Sequence, residues 1–190
     1  MEPLDSAQRR SGGVAARAAG PAAPQRILLP VRVGTIVLSF AAALLMNFLP
    51  WKDVALVPDF VALVLAFWCV RQPRMIGLGA GWTLGLLIDA GNGVLLGQHA
   101  LSYSLLAFGA LTLSRRILWF PLPQQALHVA ALLLAAEAVS LLVRLAAGAE
   151  FPGWTLAVGP LLGAALWPVV TVVLLAPQRR AVEPGSARPI

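Results

Sequence analysis

The sequence predicts an all-α integral membrane protein, a polytopic bundle of about six transmembrane helices, and three observations predict it. Apolar residues make up 59% of the 190-residue chain and charged residues only 12%, whereas soluble domains average about 45–50% and about 25%. The apolar residues fall into six runs parted by charges or by Pro/Gly clusters. The basic residues gather between alternate runs, as the loops on one side of a membrane would. Mean hydropathy is +0.82.

Each element follows in order. Residues 1–26 are rich in Ala, Gly, Pro and Arg with almost no large apolar residue, which reads as a disordered basic cytoplasmic arm. No basic stretch runs directly into an apolar core there, so the first apolar run is expected to remain as an anchor. A membrane bundle over 27–178 takes its spans from 33–49, 54–70, 75–90, 99–114, 124–146 and 153–176, and 179–190 is a cytoplasmic tail. The second and third spans are shorter than the roughly 20 residues of a straight crossing. They must borrow flanking residues, thin the bilayer or enter part-way. Pro160 and Pro168 are expected to kink the last span.

With both termini cytoplasmic, 12 of the 14 Lys and Arg residues fall inside and only Lys52 and Arg144 outside. Losing one span would invert every later loop, so the charge bias supports the count as well as the direction. It places 52–57, 90–98 and 148–152 on the outer face. The net charge of +6 lies between apolar runs rather than on a soluble basic patch, so nucleic acid is not an expected partner. Cys69, the only cysteine, has no intrachain partner.

The most informative stretch is GLLIDAGNGVLLGQHALSY at 85–103, where an aspartate interrupts residues suited to lipid. Gly77, Gly81 and Gly85 recur every four residues and share a helix face with Asp89. Such a stripe lets helices approach closely, either within the chain or against a partner. Asp89 itself reads in two ways. It is an interfacial carboxylate helped by the amides of Gly91-Asn92-Gly93, or a docking or gating contact. Gln98 and His99 open the next span and are read as a structural cap bonding back across the turn. Pro58-Asp59 suits the positive end of a helix. Glu137 sits mid-span with Ser140 and Arg144 on roughly the same face. It should face protein, paired within the bundle or serving proton or ion transfer. The six tryptophans mostly suit interfacial belts.

Chemistry is sparse. His99, His128 and Cys69 lie on three different spans without metal-site spacing. There is no Walker loop, G-x-S-x-G or H-E-x-x-H motif. No catalytic residue, metal or cofactor is expected, and no charged pocket is evident.

PDFVALVLAFWCV, the short loop RQPR, GLGAGWTLGLLIDAGNGVLLGQHALSYSLLAF and RRILWFPLPQQAL together resemble the rod shape-determining protein MreD family over about residues 56–130. Pro58-Asp59, Asp89 and Leu96-Gly97-Gln98-His99-Ala100-Leu101 are its most specific parts, and Val57 departs from an arginine frequent in the family. The resemblance implies a non-enzymatic scaffold in the bacterial inner membrane. This scaffold binds MreC and, through it, reaches the actin-like MreB and the elongation transpeptidase and glycosyltransferase, helping control lateral peptidoglycan synthesis and rod shape. The family's bundle is also similar to the substrate-binding subunits of energy-coupling-factor vitamin transporters, which sets a small-molecule transport subunit as the alternative.

Overall fold

The computed structural model describes residues 32–49 and 57–178. The basic arm, Lys52, Trp51 and the C-terminal tail lie outside the described residues. Within them the chain is all-helical, with six α-helices: α1 Val33–Phe48, α2 Phe60–Arg71, α3 Leu78–Asn92, α4 Gln98–Trp119, α5 Leu122–Ala146 and α6 Val158–Leu175. A short 3-10 turn, Trp154–Ala157, leads into α6, and another, Ala176–Gln178, follows it. The helix from Leu122 to Ala146 and the helical stretch from Trp154 to Gln178 are long and apolar enough to cross a membrane.

Helix α2 is the axis of the packing. All ten residues from Val61 to Val70 are buried, as expected of a helix that is apolar on every side. It is ringed by α1, α4, α5 and α6, while α4 also packs against α3 and α5. Its 12 residues make only about 18 Å of helix, short of a bilayer's hydrocarbon core. The ends of α2 therefore fall inside the bundle's depth, and polar groups are needed where it begins.

Sequence punctuation explains the starts and stops. Asp59 caps α2, its carboxylate accepting from the Ala62 amide at 3.0 Å. Pro58 lies just outside that helix rather than in its first turn. Helix α5 opens with prolines at its start, where a missing N–H costs nothing. Pro160 likewise falls in the first turn of α6 and does not break it, whereas Pro168 is internal.

The described tryptophans divide. Trp68 and Trp167 are fully buried, while Trp119 and Trp154 are exposed. Each buried indole finds an acceptor: Trp68 Nε1 donates to Ser39 Oγ at 2.8 Å and Trp167 Nε1 to Gln125 Oε1 at 3.3 Å. These partners are what make the core position affordable for a large ring with a polar N–H.

Candidate functional site

Asp59, Asp89, His99, Tyr103 and Glu137 come together at the end where α2 begins. Two constructions meet there. The first is centred on Asp89, in the last turn of α3. Its side chain is completely buried, and both carboxylate oxygens are filled. Oδ1 accepts from the His99 amide at 2.9 Å and faces His99 Nδ1 at 2.8 Å. Oδ2 accepts from the amides of Gly97 at 2.9 Å and Ala100 at 3.3 Å. Helix α4 has no capping side chain of its own, because Gly97 occupies the cap position. An acid from the preceding helix supplies the cap instead, opposite the positive end of the α4 dipole. An ionised carboxylate only accepts, so the proton of the His99 pair sits on Nδ1.

The turn that Asp89 holds is 93–97. Gly93 and Gly97 both take positive φ, 63° and 103°, which glycine adopts without steric cost. Between them Val94, Leu95 and Leu96 point outward, Leu96 being 69% exposed. The buried carboxylate thus supports an exposed apolar turn.

The glycine stripe packs within the chain. A Cβ at Gly81 would lie 2.7 Å from the carbonyl oxygen of Tyr103, and one at Gly85 would collide with the backbone of Ala100 and His99. Helix α3 rests backbone-on-backbone against α4 at these two positions. Gly77 does not share in it: it is the α3 cap residue and has open space around it. Gln98 is also internal, its Nε2 donating to Ser140 Oγ on α5 at 2.9 Å. Ser140 thereby ties α4 to α5.

The second construction is a cavity of about 310 Å³ between α2, α4, α5 and the start of α6. Asp59, His99, Ser102, Tyr103, Glu137 and Ser140 supply its polar wall. Asp59 is oriented by neighbours: Asn47 Nδ2 donates to Oδ1 at 2.9 Å and the buried Tyr103 hydroxyl to Oδ2. Asn47 also accepts from the Phe60 amide at 3.0 Å, clamping the end of α1 to the start of α2. Glu137 receives no hydrogen bond among the described residues, and no ion pair joins it to Arg144 there. The expectation that no charged pocket exists is corrected here. Its carboxylates are 78 positions apart in sequence, and only the folding of α5 over α2 brings them to one wall.

The profile of the family described as rod shape-determining protein MreD matches residues 25–176. A relative, Rod shape-determining protein MreD of Haemophilus influenzae (strain ATCC 51907 / DSM 11121 / KW20 / Rd), is 30% identical over 146 residues, covering 74% of this chain and 88% of that protein. The chain belongs to the MreD family. As a member it is a membrane protein with a role in rod shape determination. No solved structure matches it.

For this MreD-family chain, the structure brings Asp89, His99, Gly81 and Gly85 into one α3–α4 seam, turns Gln98 to Ser140 on α5, and brings Asp59 and Glu137 to one cavity. His99 belongs to both, its Nδ1 turned to Asp89 and its ring lining the cavity. Sequence reasoning gave no role to Tyr103 or Asn47. The available signals were that Tyr103 is the chain's single tyrosine, four residues after His99, and that Asn47 is the lone amide of an otherwise apolar run.

Proposed function

We propose that this protein is a non-enzymatic, six-span scaffold of the bacterial inner membrane, with both termini cytoplasmic. In this reading it binds MreC at its outer end and so helps control lateral peptidoglycan synthesis. The observation that carries the reading is the fully buried Asp89, whose carboxylate accepts from the amides of Gly97, His99 and Ala100 and so fixes the junction where the exposed Val94-Leu95-Leu96 turn enters α4. A carboxylate buried at this cost, in a protein with no evident catalytic chemistry, makes sense as the support of a surface of defined shape. MreB and the elongation transpeptidase and glycosyltransferase are then reached through MreC. The family match favours this scaffold over the vitamin-transporter subunit.

The test is site-specific photocrosslinking in cells. A photoreactive residue at Leu96 should capture MreC, while one at Leu142, which is 64% exposed on α5, should capture little. Equal capture at both positions, or none at Leu96, removes the turn as the docking surface. Reporter fusions test the topology: Arg74 and Arg116 should read as cytoplasmic and Asn92 as extracytoplasmic. A cytoplasmic readout at Asn92 would sink the six-span arrangement.

A further inference from the structure

We infer that the cavity beside Asp59 and Glu137 is a binding site for a primary ammonium carried on an apolar stem. Its wall offers the Asp59 and Glu137 carboxylates and, among the described residues, contains no lysine or arginine, so a cation is the complementary ligand. Asp59 already has three donors among Asn47, Ala62 and Tyr103. Glu137 has none among the described residues, and a half-buried carboxylate without a donor is the group that gains most from a cationic partner. An ammonium has three N–H donors to satisfy, and Glu137 and the hydroxyls of Ser102 and Ser140 on the cavity wall are acceptors for them.

The stem follows from the neighbouring cleft. A second space of about 170 Å³ shares Glu137 and Leu156 with the first and is otherwise walled by apolar side chains, among them Leu134, Leu141, Phe151 and Trp154. Glu137 therefore stands where a polar chamber gives way to an apolar one. A bare metal ion does not fit this site, because among the described residues no three His, Cys, Asp or Glu side chains form a group suited to hold one. An amphiphile with an ammonium head satisfies both chambers at once. Two sources have this chemistry, an amine-headed lipid and a soluble alkylamine. The site is separate from the exposed 93–97 turn, so it stands or falls independently of MreC docking.

Purified full-length protein in uncharged maltoside micelles, titrated with hexylammonium, hexanoate and methylammonium under saturation-transfer NMR, tests the inference. Hexylammonium should bind tighter than methylammonium, and hexanoate should not bind. Glu137→Gln keeps the side chain's shape and should weaken hexylammonium by about 10- to 100-fold, the loss of one charged hydrogen bond. Leu156→Trp should fill the junction and weaken hexylammonium while leaving methylammonium unchanged. Adding phosphatidylethanolamine should displace hexylammonium if the lipid is the natural source, and leave it bound if a soluble amine is. Equal binding of hexanoate, or unchanged affinity in Glu137→Gln, overturns the assignment of a cation site. Equal effects of Leu156→Trp on both amines overturn the apolar stem.

Discussion

Asp89 and Glu137 are both carboxylates within the same helical bundle, yet one is saturated and the other is bare. Asp89 receives three backbone amides and a ring N–H from the start of α4. Glu137 lines a cavity and receives no hydrogen bond among the described residues. The difference teaches how to separate a carboxylate that builds the fold from one that is open to a ligand. Burial differs between them, Asp89 being fully buried and Glu137 half-buried, but it does not by itself tell which is open to a ligand. The count of donors does, because a saturated carboxylate has no capacity left for a partner.

The sharpest way to break this contrast is Asp89→Ala. It strips the acceptor from three amides and His99 Nδ1 at once, and should destabilise the protein by about 3–5 kcal/mol, as removing one member of a buried polar pair does. Steady-state membrane level and the thermal unfolding midpoint would report it. Unchanged values would mean that water replaces the carboxylate and that α4 needs no cap from α3.

Next in size is Gly81→Leu, which must push α3 away from the Tyr103 carbonyl and should cost about 1–3 kcal/mol. Gly79→Leu, two residues away with nothing within 4 Å of its Cβ position, should stay within about 0.5 kcal/mol. If the two variants unfold alike, the α3–α4 seam is looser than the geometry indicates.

Asp89→Asn is milder. The amide keeps one acceptor oxygen but turns an NH2 toward backbone donors, and should cost about 1–2 kcal/mol. Because the residue acts through the 93–97 turn, photocrosslinking of MreC from Leu96, normalised to membrane level, should fall together with stability. A full loss of stability with normal crosslinking would detach the turn from partner recognition.

The smallest effect is expected at Glu137→Gln, within about 0.5 kcal/mol of the parent, since no donor is left unpaired. A loss as large as that of Asp89→Asn would make Glu137 a structural residue after all and erase the contrast.

Much of this was legible along the chain. Apolar runs specify a helical membrane protein, because the bilayer forces backbone satisfaction within helices. The i, i+4 spacing of Gly81, Gly85 and Asp89 marks one helix face, since helical geometry alone sets that neighbourhood. The capping role of Asp59 is equally local, whereas the turn expected at Gly91-Asn92-Gly93 begins only at Gly93, because α3 runs to Asn92 and the amides that reach Asp89 come from Gly97, His99 and Ala100.

What the tertiary structure decided is which groups meet across large sequence separations. Gln98 reaches Ser140 and Trp167 reaches Gln125, each 42 residues away, and Tyr103 reaches Asp59 across 44. It also decided that Trp68 and Trp167 belong to the core, which amphipathic rings alone do not reveal. The cavity is the clearest case. Spacing along a helix fixes neighbours one turn apart, but the wall formed by Asp59, His99 and Glu137 exists only once α5 has packed beside α2 and α4. Helix packing depends on side-chain shape at every contact, and no local period in the sequence carries that information.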